Sequence, residues 1–332
     1  MDREQEEIQF LGFFGTFKES FKIIQSWSNI FTQITLALIL PLSFIFLAHM
    51  EISELLFSEI LHNKYVLDQT QMDTPSYTKL SNIISSEWTA FWLFYAAYFT
   101  FSLILSLLST AAVVYTVACI YTAKEITFKK VMSVVPKVWK RLIVTFIWNF
   151  IIVFAYNIVA LVILVLWVIL IGPSRIGIVV LVVFWILYLM GFLYISIIWH
   201  LANVVTVLED SHGIQAMMKS KALLKGKMGV AIAVFLFLYL CFVVIQLAFE
   251  MFVVLGEFVG IGLVMGYGII CLSLLAALVL FGLIAQTVIY FVCKSYHHEN
   301  IDKSSLADHL EVYLGEYVPL KTKDVQLEQF HV

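Results

Sequence analysis

Six apolar stretches, separated by polar segments, dominate the hydrophobic pattern of the chain. A membrane-spanning helix needs about 20 mostly apolar residues, because it rises about 1.5 Å per residue through about 30 Å of hydrocarbon. The pattern predicts an all-α fold: a polytopic membrane helix bundle with about six transmembrane helices. The bundle occupies residues 29–293, between an N-terminal segment (1–28) and a C-terminal tail (294–332). The predicted spans lie near residues 29–48, 90–122, 142–171, 176–208, 230–255 and 260–292.

Basic residues are distributed unevenly between the two sides of this bundle. Connections that stay in the cytosol retain Lys and Arg. Of the 20 basic residues, 17 fall in the N-terminal segment, the second and fourth connections and the tail, which leaves Lys64, Lys79 and Arg175 for the opposite side. We therefore predict that both termini are cytosolic, in a membrane of the endomembrane system or in the plasma membrane.

The loop predicted at residues 49–87 lies on the opposite side and is acidic. Its apolar positions Ile52, Leu55, Leu56 and Ile60 recur at helical spacing. This spacing predicts a short helix that lies on the surface of the membrane.

Three basic segments, which precede the first, third and fifth spans, are amphipathic. Apolar residues three or four apart with lysines between them are typical of helices that lie in the headgroup layer. The pattern predicts three cytosolic interfacial amphipathic helices. Their apolar positions are Phe17, Phe21, Ile24 and Trp27; Phe128, Met132, Val135, Val138 and Trp139; and Ile214, Met217, Met218 and Leu223.

The second of these segments is the most basic and is the candidate for contact with anionic lipid. Each basic group near such a surface contributes about 1 kcal/mol of attraction. The membrane lipids are thus the first predicted partner. The candidate headgroup contacts are Lys129, Lys130, Lys137, Lys140 and Arg141.

The composition argues against several classes of function. Hydrophobic residues make up 62% of the chain and charged residues 13%, against roughly 45–50% and 25% in a globular domain. We find no basic block typical of nucleic-acid binding, so no direct nucleic-acid binding is expected. His297 and Asp302 have the His-x4-Asp spacing of glycerolipid acyltransferases, but no phosphate-binding motif accompanies them. We predict a non-enzymatic protein with no cofactor, catalytic residue or metal site.

Polar groups within the apolar stretches are the remaining candidates for a binding site. Ionisable and amide groups are expensive in a membrane, so they are default functional candidates. Glu250 lies near the end of the fifth span, while Asn149 and Asn157 are two turns apart in the third. They are either structural hydrogen-bonding groups or an intramembrane polar site. The second interpretation makes the protein a transporter or export permease for a small or lipidic substrate.

The tail carries a candidate peptide motif. Leu306, Leu310, Tyr313 and Leu314 fall on one helical face before Gly315, and Tyr317-Val318-Pro319 follows. The order Leu310, Tyr317, Pro319 is similar to the peptide that docks the C-terminal domain of cytosolic poly(A)-binding protein, although Glu311, Leu314 and Tyr317 depart from it. The resemblance implies a cytosolic protein partner. A tail helix that folds onto its own membrane domain, or that is solvated, is the alternative.

Three stretches also carry a resemblance to known families. They are residues 11–24 (LGFFGTFKESFKII), 205–227 (VTVLEDSHGIQAMMKSKALLKGK) and 306–329 (LADHLEVYLGEYVPLKTKDVQLEQ). The chain resembles a plant family of uncharacterised six-span transmembrane proteins. The middle stretch resembles bacterial membrane proteins of the YciC type and the membrane domain of some glycerophosphodiesterases. The resemblance implies residence in a membrane, and we expect a protein that organises lipid or recruits cytosolic partners.

Overall fold

The structure, a computed structural model, describes residues 9–70, 74–122, 126–172, 174–256 and 260–297. Within those ranges the backbone forms helices and short connections, and no strand. The helices in chain order are α1 (Phe13–Ser26), α2 (Ser28–Gln69), α3 (Pro75–Tyr121), α4 (Phe128–Leu170), α5 (Arg175–Leu208), α6 (Ile214–Leu223), α7 (Met228–Val254) and α8 (Ile261–Tyr296).

Six of these helices, all but α1 and α6, are long and apolar enough to cross a membrane. The prediction of an all-α multi-pass membrane protein with about six spans is therefore confirmed. Helices α2 and α7 each contain one π-helical turn, at Thr35–Ile39 and Glu250–Val254.

Helix α2 extends well past the predicted end of the first span. From Pro41 to Gln69 the sequence contains no further Pro and no Gly, so nothing interrupts the hydrogen-bond ladder of the helix. Residues 52–60 are helical as predicted, but they belong to α2 and do not form a short helix of their own, and their position at the membrane surface stays a prediction. Helix α3 likewise begins at Pro75, ahead of the predicted start of its span.

The three amphipathic segments differ in how they join their spans. Helix α1 ends where Trp27 leaves the helical conformation, with φ −123° and ψ 33°. Helix α6 is a separate helix, preceded by Gly213 with φ +62°. The segment that begins at Phe128 instead continues into its span without a break, with Pro136 inside the helix. The second amphipathic segment and the third span thus form the single helix α4.

The chain divides into two compact units. Unit 1 contains the described residues of 1–30, 110–235 and 283–332, and unit 2 contains those of 31–109 and 236–282. In unit 2, Leu47, Phe249, Cys271 and Leu275 form a buried apolar cluster. In the same unit the His49 ring stacks on Tyr98, with centroids 3.7 Å apart.

Unit 1 has a core in which apolar side chains of α3, α4, α5 and α8 are almost fully buried. The apolar face of the N-terminal part of α4 lies in this core, so it packs against protein and not against lipid. The core includes Val113, Val117, Val131, Val134, Val135, Val138, Leu201, Val205, Val288 and Phe291, all at most 1% exposed.

The remainder of α4 and α5 forms an exposed hairpin in unit 1. None of residues 150–170 is buried, and at 1.5 Å per residue this stretch is about 30 Å long, the thickness of the hydrocarbon core. The Trp167 indole donates to the Gly177 carbonyl at 3.1 Å, and the Tyr156 hydroxyl donates to the Tyr188 carbonyl at 2.8 Å. A pair of helices that faces lipid has this combination of length and exposed apolar side chains.

Candidate functional site

The candidate site of unit 1 forms where α5 ends and the chain turns back into α6. The Glu209 backbone leaves the helical conformation, and its N–H donates to the Val205 carbonyl at 2.8 Å. After the turn, α6 lies along α5, with the Ser220 hydroxyl donating to the Ile198 carbonyl at 2.8 Å. Glu209 is thereby held at the end of α5 with α6 beside it.

A buried hydroxyl pair fixes the geometry of this turn. The Gly213 N–H donates to Thr145 Oγ1 at 2.9 Å, and Thr145 Oγ1 lies 2.9 Å from Thr206 Oγ1. Both threonines are fully buried. Gly213 is required here, because its φ of +62° favours glycine and an added Cβ would lie 2.8 Å from Cδ1 of Trp148.

The Glu209 carboxylate lies between two lysines. Its Oε1 lies 3.0 Å from Lys294 Nζ and accepts a 2.6 Å hydrogen bond from the Tyr290 hydroxyl. Its Oε2 lies 2.5 Å from Lys219 Nζ. Tyr290 and Lys294 are four residues apart on α8, so they share one helical face. We call Glu209, Lys219, Tyr290 and Lys294 the Glu209 cluster.

The cluster keeps Glu209 ionised. Burial, which leaves its side chain 11% exposed, acts to raise the pKa of the carboxyl group. The Lys219 ammonium, the Tyr290 hydrogen bond and the Lys294 charge outweigh that effect, so the pKa of Glu209 lies below its ordinary value. A carboxylate held ionised in this way does not act as a general acid at neutral pH. The Glu209 carboxylate instead links α5 to α6 and α8 through ion pairs and a hydrogen bond.

Arg141 ties α4 to the same turn. Its guanidinium donates to the Glu209 carbonyl at 2.9 Å and lies 3.4 Å from Asp210 Oδ1. The Asp210 side chain is 87% exposed, so that ion pair adds little, and the bond to the backbone is the more important contact. Arg141, a predicted lipid contact, is therefore engaged with protein.

The other four predicted headgroup residues lie on the outer side of α4. Lys129, Lys137 and Lys140 are exposed and Lys130 is partly exposed. The structure places them on one helix, but the apolar face beneath them is buried in protein. Their contact with lipid stays a prediction.

The predicted intramembrane polar residues occupy different surroundings. Asn149 is 6% exposed, and its Oδ1 has no hydrogen-bond partner among the described residues. Asn157 is exposed, donates to the Val153 carbonyl and accepts a 2.9 Å hydrogen bond from the Tyr188 hydroxyl of α5. Glu250 is exposed at the first residue of the π-helical turn in unit 2. Within the described part of unit 1, Asn149 and Asn157 are not hydrogen-bonded to each other.

Other predicted residues lie outside the described part of the chain. These are the tail positions Leu310, Tyr317 and Pro319, together with Asp302. His297 is described, and its Nε2 lies 3.0 Å from the Leu223 carbonyl. Among the described residues, no group of three or more His, Cys, Asp or Glu is arranged to hold a metal ion.

The Glu209 cluster is not among the sites that the sequence pattern predicts. Its members are far apart in sequence, and Glu209 entered only as part of the stretch that carries the family resemblance. A useful signal was available: a carboxylate directly after an apolar span, followed by a basic segment. That signal does not identify which lysines meet the carboxylate.

The comparisons give a family without a stated function. No curated protein and no solved structure is significantly similar to the chain. A family model described as a domain of unknown function, DUF8558, matches residues 1–330. The match covers nearly the whole sequence, so the chain belongs to the DUF8558 family.

Proposed function

We propose that this multi-pass membrane protein is non-enzymatic and organises anionic lipid at the cytosolic side of an endomembrane or plasma membrane. The observation that carries the proposal is the orientation of α1. Phe14 and Phe21 are 83% and 62% exposed, whereas the polar residues Thr16 and Ser20 on the other face are fully buried. An outward aromatic face is costly in water and favourable in the headgroup layer.

Two lysines lie among these aromatic side chains. Lys18 and Lys22 are exposed on the same helix as Phe14 and Phe21. Lysine stems cover apolar surface while the ammonium groups reach towards phosphate. Helix α1 therefore combines the two features of a helix that binds an anionic membrane surface.

The lysines of α4 support the proposal unequally. The lipid-exposed part of α4 begins near Val144, which is 38% exposed. At 1.5 Å per residue, Lys140 and Lys137 lie about 6 and 10 Å along the helix from Val144, and Lys129 lies about 22 Å away. At 0.1 M salt, the electrostatic interaction between exposed charges is largely screened beyond about 10 Å. We expect Lys137 and Lys140 to attract lipid more strongly than Lys129 and Lys130.

Spin-labelled lipids test the proposal on the full-length protein in liposomes. We expect the motionally restricted lipid around the protein to be enriched in phosphatidylserine over phosphatidylcholine. Replacing Lys18, Lys22, Lys137 and Lys140 by Gln removes four electrostatic attractions to anionic lipid of about 1 kcal/mol each. The substitutions should therefore lower that enrichment. Lys64→Gln with Lys79→Gln is the control, because both side chains are exposed and the charge distribution predicts that they lie on the opposite side of the membrane. Equal lipid selectivity in all three proteins contradicts the proposal.

The alternative of a transporter or export permease stays a prediction, as does the resemblance to the plant and YciC-type families. The same holds for a cytosolic protein partner that binds the tail. None of these is needed for the lipid proposal.

A further inference from the structure

A pocket of about 500 Å³ lies beside the end of α6 in unit 1 and is open to the outside. Its walls combine apolar and basic side chains. Among those that line it are Tyr194, Met218, Lys221, Ala222, Lys225 and Met228. Such a mixture suits a ligand with an anionic group attached to an apolar part.

The position of the pocket along α5 indicates which kind of ligand suits it. Residues 178–196 of α5 include no buried side chain, whereas Ile197 and Leu201 are fully buried. Residues 176–196 are about 30 Å long at 1.5 Å per residue, which matches the thickness of the hydrocarbon core. Ser220 bonds the Ile198 carbonyl, and Tyr194 lies one helical turn further towards the exposed part. The pocket is therefore expected near the boundary between hydrocarbon and water.

The lysines of this region divide into two pairs. Lys219 is held by Glu209, and Lys227 lies over the Tyr296 ring at 5.1 Å. Lys221 and Lys225 line the pocket instead, and within the described part of the chain neither forms an ion pair. Both lysines are exposed and line the same pocket, so both ammonium groups are available to a phosphate bound there.

We propose that this pocket binds one anionic phospholipid, whose phosphate contacts Lys221 and Lys225 while its glycerol and upper acyl chains pack on Met218, Met228 and Tyr194. Methionine suits this role because its flexible side chain adapts to an irregular apolar ligand. A phospholipid is favoured over free phosphate because the apolar walls lie beside the exposed helix surface. A stoichiometric lipid site differs from the general surface attraction proposed above, and the two fail separately.

Native mass spectrometry of the full-length protein in detergent tests this site. Titration with phosphatidic acid should give one saturable adduct, and titration with phosphatidylcholine should bind at least tenfold more weakly. Lys221→Gln with Lys225→Gln should reduce the affinity for phosphatidic acid about tenfold or more. Lys64→Gln with Lys79→Gln, which removes two positive charges from exposed positions outside the pocket, should leave it unchanged.

Two further variants separate the charge of the site from its shape. Lys221→Arg with Lys225→Arg keeps both charges and should keep the adduct. Ala222→Trp should block the adduct by filling the pocket. Inorganic phosphate at millimolar concentration should not compete. Unchanged affinity in the Lys→Gln double variant, an adduct that survives Ala222→Trp, or full competition by inorganic phosphate each overturns the proposal.

Discussion

Glu209 is placed so that its charge stabilises the fold through two lysines at once. Glu209→Gln removes the negative charge and leaves Lys219 and Lys294 facing each other without it, so we expect a loss of about 3 kcal/mol in stability. Thermal unfolding in detergent, followed by intrinsic fluorescence, measures the change as a lower Tm. Asp210→Asn is the matched control, since its 87% exposed side chain should contribute about 0–1 kcal/mol. Equal losses of stability in the two variants would show that the Glu209 cluster does not stabilise the packing of α5, α6 and α8.

The same carboxylate predicts how stability depends on pH. Because the pKa of Glu209 is lower in the folded state, its stabilisation is fully present above the ordinary value of 4.5. It is lost as the pH falls through the lower folded value. We therefore expect the difference in Tm between the native protein and Glu209→Gln to be large at pH 7 and to shrink below pH 4.5. A difference that is constant between pH 7 and pH 3.5 would contradict the assignment.

At the scale of elements, the turn between α5 and α6 decides where the basic residues of α6 lie. Gly213→Ala forces a side chain onto a residue with φ +62° and places its Cβ against Trp148, so we expect a loss of about 1–3 kcal/mol. Gly229→Ala is the control, because an added Cβ there meets nothing within 4 Å. Thermal unfolding of both variants measures the difference. If Gly213→Ala is as stable as Gly229→Ala, the turn is not constrained as the structure indicates.

At the scale of the whole molecule, the charge distribution predicts the orientation in the membrane. A tag at either terminus should be cleaved by protease added to sealed microsomes whose cytosolic face points outward. A tag inserted near Asp73, between α2 and α3, should be protected. The reason is the retention of basic segments in the cytosol, with 17 basic residues on one side and three on the other. Protection of a terminal tag would reverse the predicted orientation and remove the lipid proposal for the cytosolic leaflet.

The sequence by itself determined the helical class and the number of long apolar helices. Backbone groups in hydrocarbon must bond internally, so an apolar stretch of sufficient length in such a chain is a helix whatever its neighbours are. The same property limits the prediction at helix ends. Residues 128–141 have the composition of a surface helix, yet they extend α4, and the helix continues through Pro136 even though proline removes one backbone hydrogen bond.

Only the tertiary structure decided which apolar residues meet protein and which face outward. Val134 and Val138 are buried in unit 1, whereas Ile151 and Val162 of the same helix are about half exposed, and all four are apolar residues of one long helix. Hydropathy records a preference for leaving water and does not distinguish lipid from a protein interior. The Glu209 cluster is likewise decided by the tertiary structure. Glu209, Lys219, Tyr290 and Lys294 meet because α6 and α8 pack beside the end of α5, and that packing depends on shape complementarity across the fold, which no local pattern in the sequence contains.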